Sequence, residues 1–538
     1  MQQSHFVHLT NRSTGVANVR FLLFPIAFAL CLGCSKQGPS AVRLVLISPH
    51  RDEIRQEVGR AFPIWFQQRT QERAAAAVES LQAWLKSPTA EHKSATEGAA
   101  SRLLSDWRTD EIPVLRAAYL AWKNQSDAEH GQALLNALTT WSEHIPPVEL
   151  VWQDIGGGTS QISRYLTARY EASPASCGVD VLFGGGTEIY LRFAKQELLE
   201  PVPMPAELIN RLRPELNGVP IYDPKGRWYG PMLSSFGILS NREVLRRIGA
   251  PEPKRWEDLG APELYGWVTA GDPRLTGSVH MVYEIMLQGL GWEEGFRLLL
   301  RLGANAHSFI RDSGTLTRMV LSGEVAAAGN LDANALGAVS RDPERMAYHL
   351  PANRTIINPD AEGVLKGAPH LELARAFLEF TLSDAGQGLF FLRPGHPEGP
   401  ARYALCRLSV VEELYQRHPP GVRSVGNANP FLVPSKMSYD SKRSDDRWEA
   451  INDLIGSVII DAHPDLSAAW GAVLRLPPSE QRDLLEGELF QPPCTEAKLA
   501  QHTRRILQES PRLRTETVNR WGEASRRHYR DLARRAHL

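Results

Sequence analysis

The sequence predicts an α/β fold with a largely parallel sheet, because one strand–loop–helix pattern recurs three times in its first two hundred residues. The first copy opens with the β-branched run Val42–Ile47, continues through Ser48-Pro49-His50-Arg51-Asp52, and passes into an amphipathic helix over 53–69. The second is a strand over 148–152, the break Gly156-Gly157-Gly158-Thr159-Ser160 and a helix over 161–170. The third is a strand over 179–183, closed by Gly184-Gly185-Gly186-Thr187 and a helix over 188–199.

Between the first two copies, residues 70–145 are rich in Ala, Leu, Glu and Lys and poor in β-branched residues. Apolar residues recur there at helical spacing, as in Val78, Leu81 and Leu85, which predicts an inserted subdomain of three or four helices. Residues 229–239 form another extended run and suit a crossover into a second lobe. That lobe takes strands near 267–270, 306–310 and 325–330, with helices after Thr276 and Thr315, and the chain returns near 346–358. Residues 371–538 read as mostly helical, broken at His396-Pro397, Pro419-Pro420, Pro477-Pro478 and Pro492-Pro493.

At 538 residues the chain is too long for one ordinary domain and suits two or three. A formal net charge of -1 gives no electrostatic case for nucleic acid, and none is expected as a partner. Residues 21–32 are almost wholly apolar, with Arg12 and Arg20 upstream. That run is too short to span a bilayer and has the size of a signal-peptide core. It ends in Leu30-Cys31-Leu32-Gly33-Cys34, similar to a bacterial lipobox in which Cys34 is acylated and anchors the chain to a membrane. The alternative is an ordinary secretory signal with a chance cysteine. Past Cys34 only Cys177, Cys406 and Cys494 remain, without a CxxC pair, which indicates neither a zinc site nor a disulfide framework.

Several blocks resemble the ferric-type extracellular solute-binding proteins. These are Asp180-Val181-Leu182-Phe183-Gly184-Gly185-Gly186, Asp272-Pro273-Arg274-Leu275-Thr276-Gly277-Ser278, Ser322-Gly323-Glu324-Val325-Ala326-Ala327, and Asn358-Pro359-Asp360-Ala361 with Leu365-Lys366-Gly367-Ala368-Pro369-His370. The resemblance covers about 42–69 and 148–392. It implies a two-lobe periplasmic-binding-protein-like fold of the type II kind, with ligand in the cleft and the permease and ATPase of an ABC importer as partners. The organisation expected is a signal peptide over 1–34, lobe I over 41–71 and 147–235, and a helical insertion over 72–146. Lobe II follows over 236–350, a return to lobe I over 351–415, and a mostly helical C-terminal extension over 416–538.

Five polar or glycine-containing loops precede candidate helices, at 48–51, 156–160, 184–187, 276–278 and 312–315. Such loops present free backbone N–H groups and the positive end of a helix dipole, and in open α/β sheets they gather at the strand C-termini. Gly185, Gly186 and Gly277 let backbone approach a ligand closely, and hydroxyls from Ser48, Thr187, Ser234, Ser235, Thr276, Ser278 and Ser313 can complete a cage. The same residues also serve as plain helix caps. His50 and Arg51 can meet an oxyanion, although Arg51 can equally pair with Asp52 or Glu53. Asp332 suits a sugar hydroxyl, an amine or a metal, or a turn cap.

Relatives that hold bare iron use adjacent tyrosines after the strand near 325–330, and here that segment reads Asn330-Leu331-Asp332-Ala333-Asn334. A small organic oxyanion, such as a sugar phosphate or a phosphonate, therefore suits the donor-rich loops at least as well as iron. The sequence lacks GxSxG, HExxH and a Walker loop, and its 16 histidines show no metal-ligand spacing on one helix. No catalytic residue, cofactor or resident metal is expected. Two alternatives stay open: a receptor that works without a transporter, and a hydrolase or transferase on the same scaffold.

Overall fold

A computed structural model describes residues 41–433, 436–509 and 511–537, and the Cys34 expectation lies outside these. The two-lobe type II fold implied by the resemblance is the one observed. In lobe I, β1 (Val42–Ile47) lies at the centre of a parallel set. Its first connection is the long one, made of α1 (Asp52–Lys86), α2 (Ala90–Leu104), α3 (Pro113–Gln125) and α4 (Ala128–Ser142). The predicted helix over 53–69 thus continues without interruption into the insertion. The next elements are β2 (Val148–Gln153), α5 (Thr159–Ala172), β3 (Val181–Phe183) and α6 (Thr187–Lys195). A short α7 (Ala206–Ile209) and the hairpin of β4 (Glu215–Leu216) and β5 (Val219–Pro220) complete this part.

Strand β6 (Tyr229–Asn241) joins the lobes and is buried along its whole length. Lobe II consists of α8 (Arg242–Ile248), β7 (Val268–Gly271), α9 (Gly277–Leu290), α10 (Trp292–Asn305), β8 (Ala306–Ile310), α11 (Ser313–Ser322), β9 (Ala327–Leu331), α12 (Asp332–Arg341) and β10 (Met346–His349). The chain returns through β11 (Ile357–Val364), then α13 (Leu371–Leu382), α14 (Asp384–Phe391), β12 (Leu408–Ser409) and α15 (Leu414–Arg417). The strand order is β2-β1-β3-β11-β6-β9-β7-β8. The N-terminal half of β6, through Ser235, pairs with β11, and from Phe236 onward β6 pairs with β9. The lobes therefore part in mid-strand, where one chain changes sheets without leaving its hydrogen-bonding plane.

The two additions sit on different cores. Helix α1 buries Ile54, Val58, Phe62 and Phe66 in the core of lobe I, and Phe62 meets Phe377 edge-on at 5.3 Å. Trp84 and Trp122 pack edge to face at 5.3 Å farther out in the same core, so lobe I and the insertion share one apolar interior. After lobe I come α16 (Ser441–Ile455), α17 (His463–Leu474), α18 (Glu480–Leu489), α19 (Glu496–Glu509) and α20 (Pro511–Ala536). Ile451, Leu454, Leu466, Trp470 and Leu532 from this extension join the core of lobe II. Cys177, Cys406 and Cys494 are free thiols. No helix among the described residues is long and apolar enough to cross a membrane.

One buried carboxylate ties α1 to the return segment. Glu57 accepts backbone N–H bonds from Ala401 (2.9 Å), Arg402 (2.6 Å) and Tyr403 (2.9 Å), and Arg60 lies 3.2 Å away. Burial works against its charge, but these donors outweigh it and hold the carboxyl below its ordinary range. Glu57→Ala strands three donors and should lower unfolding stability by about 2–3 kcal/mol, read from urea melts at pH 7. Because the folded pKa lies below the unfolded one, the contribution is full above the unfolded value. The gap to wild type should close as pH falls below about 4.

Candidate functional site

The loops at the strand ends enclose a cavity of about 700 Å³ between the lobes, within the range of small-solute sites. Lobe I supplies the starts of α5 and α6, and lobe II supplies the starts of α9, α11 and α12. Their N-caps are Gly158, Gly186, Thr276, Asp312 and Leu331. Five positive dipole ends therefore converge on one space, although Asp312 already accepts the Thr315 N–H of α11 and Asp332 the Ala333 N–H of α12. The lobes touch at its rim. A Cβ on Gly158 would lie 3.1 Å from the Leu275 carbonyl, and Arg164 donates to the Arg274 carbonyl at 2.8 Å.

The floor is a buried charge cluster. His50 stands on the loop after β1 and Asp360 on β11, with the His50 Nε2 to Asp360 Oδ2 distance 2.9 Å. The other Asp360 oxygen accepts the Gly185 N–H at 2.6 Å. Arg407 pairs with the same carboxylate and donates to Ser234 Oγ at 3.1 Å. Burial opposes the charge on Asp360, but Arg407 and then His50 more than offset it and bring the carboxyl down to about 2. Burial lowers the His50 pKa despite the neighbouring carboxylate, so the ring is neutral at pH 7 and its Nε2–H donates a hydrogen bond to Asp360. Gly184 is required beside this ring. Its φ is +98°, and a Cβ there would lie 2.4 Å from the His50 Cε1 atom.

Several buried polar atoms around this floor have no protein partner. They are His50 Nδ1, Arg407 Nε, Ser160 Oγ and both amide atoms of Asn358, and all four residues line the cavity. Buried polar groups in folded proteins are mostly paired; these unpaired atoms sit on residues that line one cavity, where a solute or water can complete their bonding. The lining is also cationic, with eight arginines against six carboxylates. Arg311 and Arg341, on lobe II, are exposed and make no hydrogen bond or ion pair with the described residues. The lining contains no tyrosine and no cysteine. The one group of three potential metal ligands among the described residues is His396, Glu398 and His418, with ligand atoms within 4.8 Å of one another, and none of these lines the cavity.

The structure brings His50, Arg51, Gly185, Gly186, Ser234, Thr276, Gly277, Ser278 and Ser313 into the lining. Four other sequence-predicted residues stand behind it. Ser48 Oγ accepts the His50 N–H at 3.1 Å and shapes the loop that carries that ring. Thr187 is fully buried in the first turn of α6. Ser235 and Asp332 bind each other: the Asp332 carboxylate accepts Ser235 N–H (2.8 Å) and Oγ–H (3.1 Å), and also Ala333 N–H (2.7 Å). Of the two readings foreseen for Asp332, a contact to the ligand or a turn cap, these bonds match the cap, since its oxygens join β6 to α12 and it lies outside the lining. Burial raises its pKa to about 6. Arg51 donates to the Leu405 carbonyl at 3.0 Å and lies 3.7 Å from Glu53, so the surface pair foreseen for it also forms. Sequence reasoning missed Asp360, Arg407 and Asn358 as cavity residues, and had Ser160 only as part of the 156–160 loop.

Asp360→Asn leaves Arg407 buried without its counter-charge and should cost about 3 kcal/mol of stability at neutral pH. The folded pKa of about 2 lies below the unfolded value, so the wild-type advantage should fade as pH falls from about 4 towards 2. Melting temperatures of both proteins across that window test this.

A family model described as bacterial extracellular solute-binding protein matches residues 179–391. The chain is 30% identical over 277 residues to a phosphoglycerate transport regulatory protein of Salmonella typhimurium, covering 48% of this chain and 69% of that one. It is 28% identical over 229 residues to an uncharacterised protein of Haemophilus influenzae, covering 41% and 63%. Among solved structures, iron-bound HitA from Pseudomonas aeruginosa matches 77% of this chain and 99% of its own at 16% identity and a TM-score of 0.48. The periplasmic binding protein AfuA of Actinobacillus pleuropneumoniae with fructose-6-phosphate bound matches 64% and 81% at 16% identity and a TM-score of 0.44. By the family model and the Salmonella relative together, the chain belongs to the bacterial extracellular solute-binding proteins.

Proposed function

We propose that the chain captures a small phosphate- or carboxylate-bearing organic solute in the interlobe cavity and delivers it to the permease and ATPase of an ABC importer. The observation that carries this reading is the set of orphaned polar atoms, on His50, Arg407, Ser160 and Asn358, beneath five converging helix N-termini. An anionic group placed there meets N–H donors, the Arg407 guanidinium and the Asn358 amide in a site with excess positive charge. His50 Nδ1, the lone-pair side of the neutral ring, suits a hydroxyl donor on the same solute. Arg311 and Arg341 offer a second anionic end its counter-charge. Bare ferric iron is the weaker candidate, because its usual hard anionic donors, phenolates, are not in the lining.

A second reading is a receptor that reports solute rather than importing it. The observation behind it is the relative's own name, which is that of a transport regulatory protein. Presence of a permease and an ATPase gene beside this one would favour import, and a sensor kinase gene in their place would favour the receptor. In either case the extracytoplasmic site suits an anchor at Cys34. Labelling with a fatty-acid analogue should mark wild type and not Cys34→Ala, and equal labelling of both would remove the anchor.

Calorimetry with 3-phosphoglycerate, fructose 6-phosphate and ferric citrate tests the ligand class. An organic phosphate should bind more tightly than iron. Tight ferric binding with a phenolate charge-transfer band and no response to organic anions would refute the assignment. Asn358→Leu removes two orphaned polar atoms. It should leave stability unchanged or raise it by up to about 1 kcal/mol, while weakening organic phosphate tenfold or more. Ser278→Ala should cost about 0.5–1.5 kcal/mol of binding if its bond is neutral and about 1.5–3 if it meets a charged oxygen.

A further inference from the structure

The solute cavity has a wall that neither lobe supplies. Trp448 and Glu449 line it, yet both belong to α16, well past the 179–391 stretch that matches the solute-binding family. The Trp448 ring is almost fully buried and stacks on His280 of α9, with centroids 3.5 Å apart and planes at 25°. It lies 3.6 Å from the position of a Cβ on Gly277, the first residue of α9. On its lobe I side the Arg192 guanidinium sits 5.9 Å from the ring centroid. The indole therefore fills the seam where the start of α9 faces α6.

The attachments of α16 to the two lobes differ in kind. Towards lobe II they are apolar and buried. Ala450, Ile451, Leu454 and Ile455 enter that lobe's core, Asn452 Oδ1 meets His280 Nδ1 at 2.7 Å, and Arg447 binds buried Glu284. Farther along, Arg274 holds Asp461 through two bonds of 2.9 Å. Towards lobe I the side-chain hydrogen bonds come from α16 and from Tyr439, two residues before it. Arg192 Nε donates to Asp445 Oδ1 at 3.1 Å, and the Tyr439 hydroxyl donates to Glu188 Oε1 at 3.3 Å. A helix whose apolar face is continuous with one body and whose polar face reaches the other moves with the first.

We infer that α16 and the residues leading into it are a wall of the binding site and a latch between the lobes: they ride with lobe II, present Trp448 to the carbon skeleton of the solute, and close on lobe I through Asp445 of the helix and Tyr439 before it. Opening the cleft then requires breaking the Arg192–Asp445 and Tyr439–Glu188 contacts while the buried contacts to His280 and Glu284 stay intact. An indole wall next to anion-binding loops suits a ligand with an apolar or C–H face as well as its charged end, and gives no advantage to a bare ion. This last part rests on the solute-binding proposal above, and the latch does not.

Hydrogen–deuterium exchange on the full chain without added solute tests the latch by itself. Asp445→Asn and Tyr439→Phe should each speed exchange at the rim amides of 156–160 and 276–278 by about tenfold, the factor equivalent to loss of one hydrogen bond of about 1.4 kcal/mol. Amides of β6 and of α9 from Met281 onward should stay protected, which shows that the variants remain folded. Unchanged rim exchange in both folded variants would overturn the latch. Titration with 3-phosphoglycerate and with inorganic phosphate then tests the wall. Trp448→Ala should weaken the organic phosphate at least tenfold and inorganic phosphate little. Equal loss for both probes would overturn the role of the indole, and failure of wild type to bind either probe would count against the solute proposal while the exchange result stands.

Discussion

Everything around the cavity is referred to the buried charge on Asp360. Its two oxygens take a backbone N–H from Gly185, a ring N–H from His50 and the guanidinium of Arg407. Through these partners one carboxylate fixes the loop after β1, the glycine loop before α6 and the segment that leads into β12. A charge of this kind is costly to bury and is tolerated because both oxygens accept hydrogen bonds and Arg407 supplies the counter-charge. It leaves His50 Nδ1 and Arg407 Nε, with the Asn358 amide and Ser160 Oγ, without protein partners on residues that line the cavity. The stability of the floor and its readiness to bind thus come from the same group.

The lobes differ in what has been built onto them. The insertion extends the core of lobe I and the C-terminal helices extend the core of lobe II. Neither addition stands apart as a separate body. The strand that both lobes share, β6, is buried along all its residues, so the change of sheets at Ser235 and Phe236 is a stiff crossing bounded by backbone hydrogen bonds. Ser235 is also the residue that Asp332 grips, which pins the start of α12 to the crossing itself.

What the sequence made legible was what local chemistry dictates. The β-branched runs, the glycine loops and the helices after them fall where their spacing places them, and the extended run over 229–239 is the crossing strand β6. Loop residues such as Gly185, Thr276 and Ser278 were legible as cavity candidates because strand-to-helix turns gather at one edge of such a sheet. Asp360 and Arg407 were not. Asp360 lies within Ile357–Val364, which reads as a plain strand, and its partners are 310 residues upstream and 47 downstream. Two acids, Asp360 and Glu362, within one short buried strand were the available signal. Asp332 reads in sequence as either a ligand contact or a turn cap, and only the fold shows its carboxylate taken up by Ser235 and Ala333. Trp448 carried no local signal, since an aromatic on an amphipathic helix reads as ordinary packing.

Helix α1 begins at the cavity, where Arg51 and Glu53 belong to the lining, and runs for 35 residues before it ends. A helix of that length spans about 50 Å. Its first half is set in the core of lobe I and its second half carries the rest of the insertion. It therefore works as a lever arm with its fulcrum at the cleft. A rotation of lobe I by about 10°, modest for a hinged pair of domains, sweeps the far end through roughly 9 Å. Any rotation of lobe I about the cleft would therefore be largest, along this helix, at Lys86.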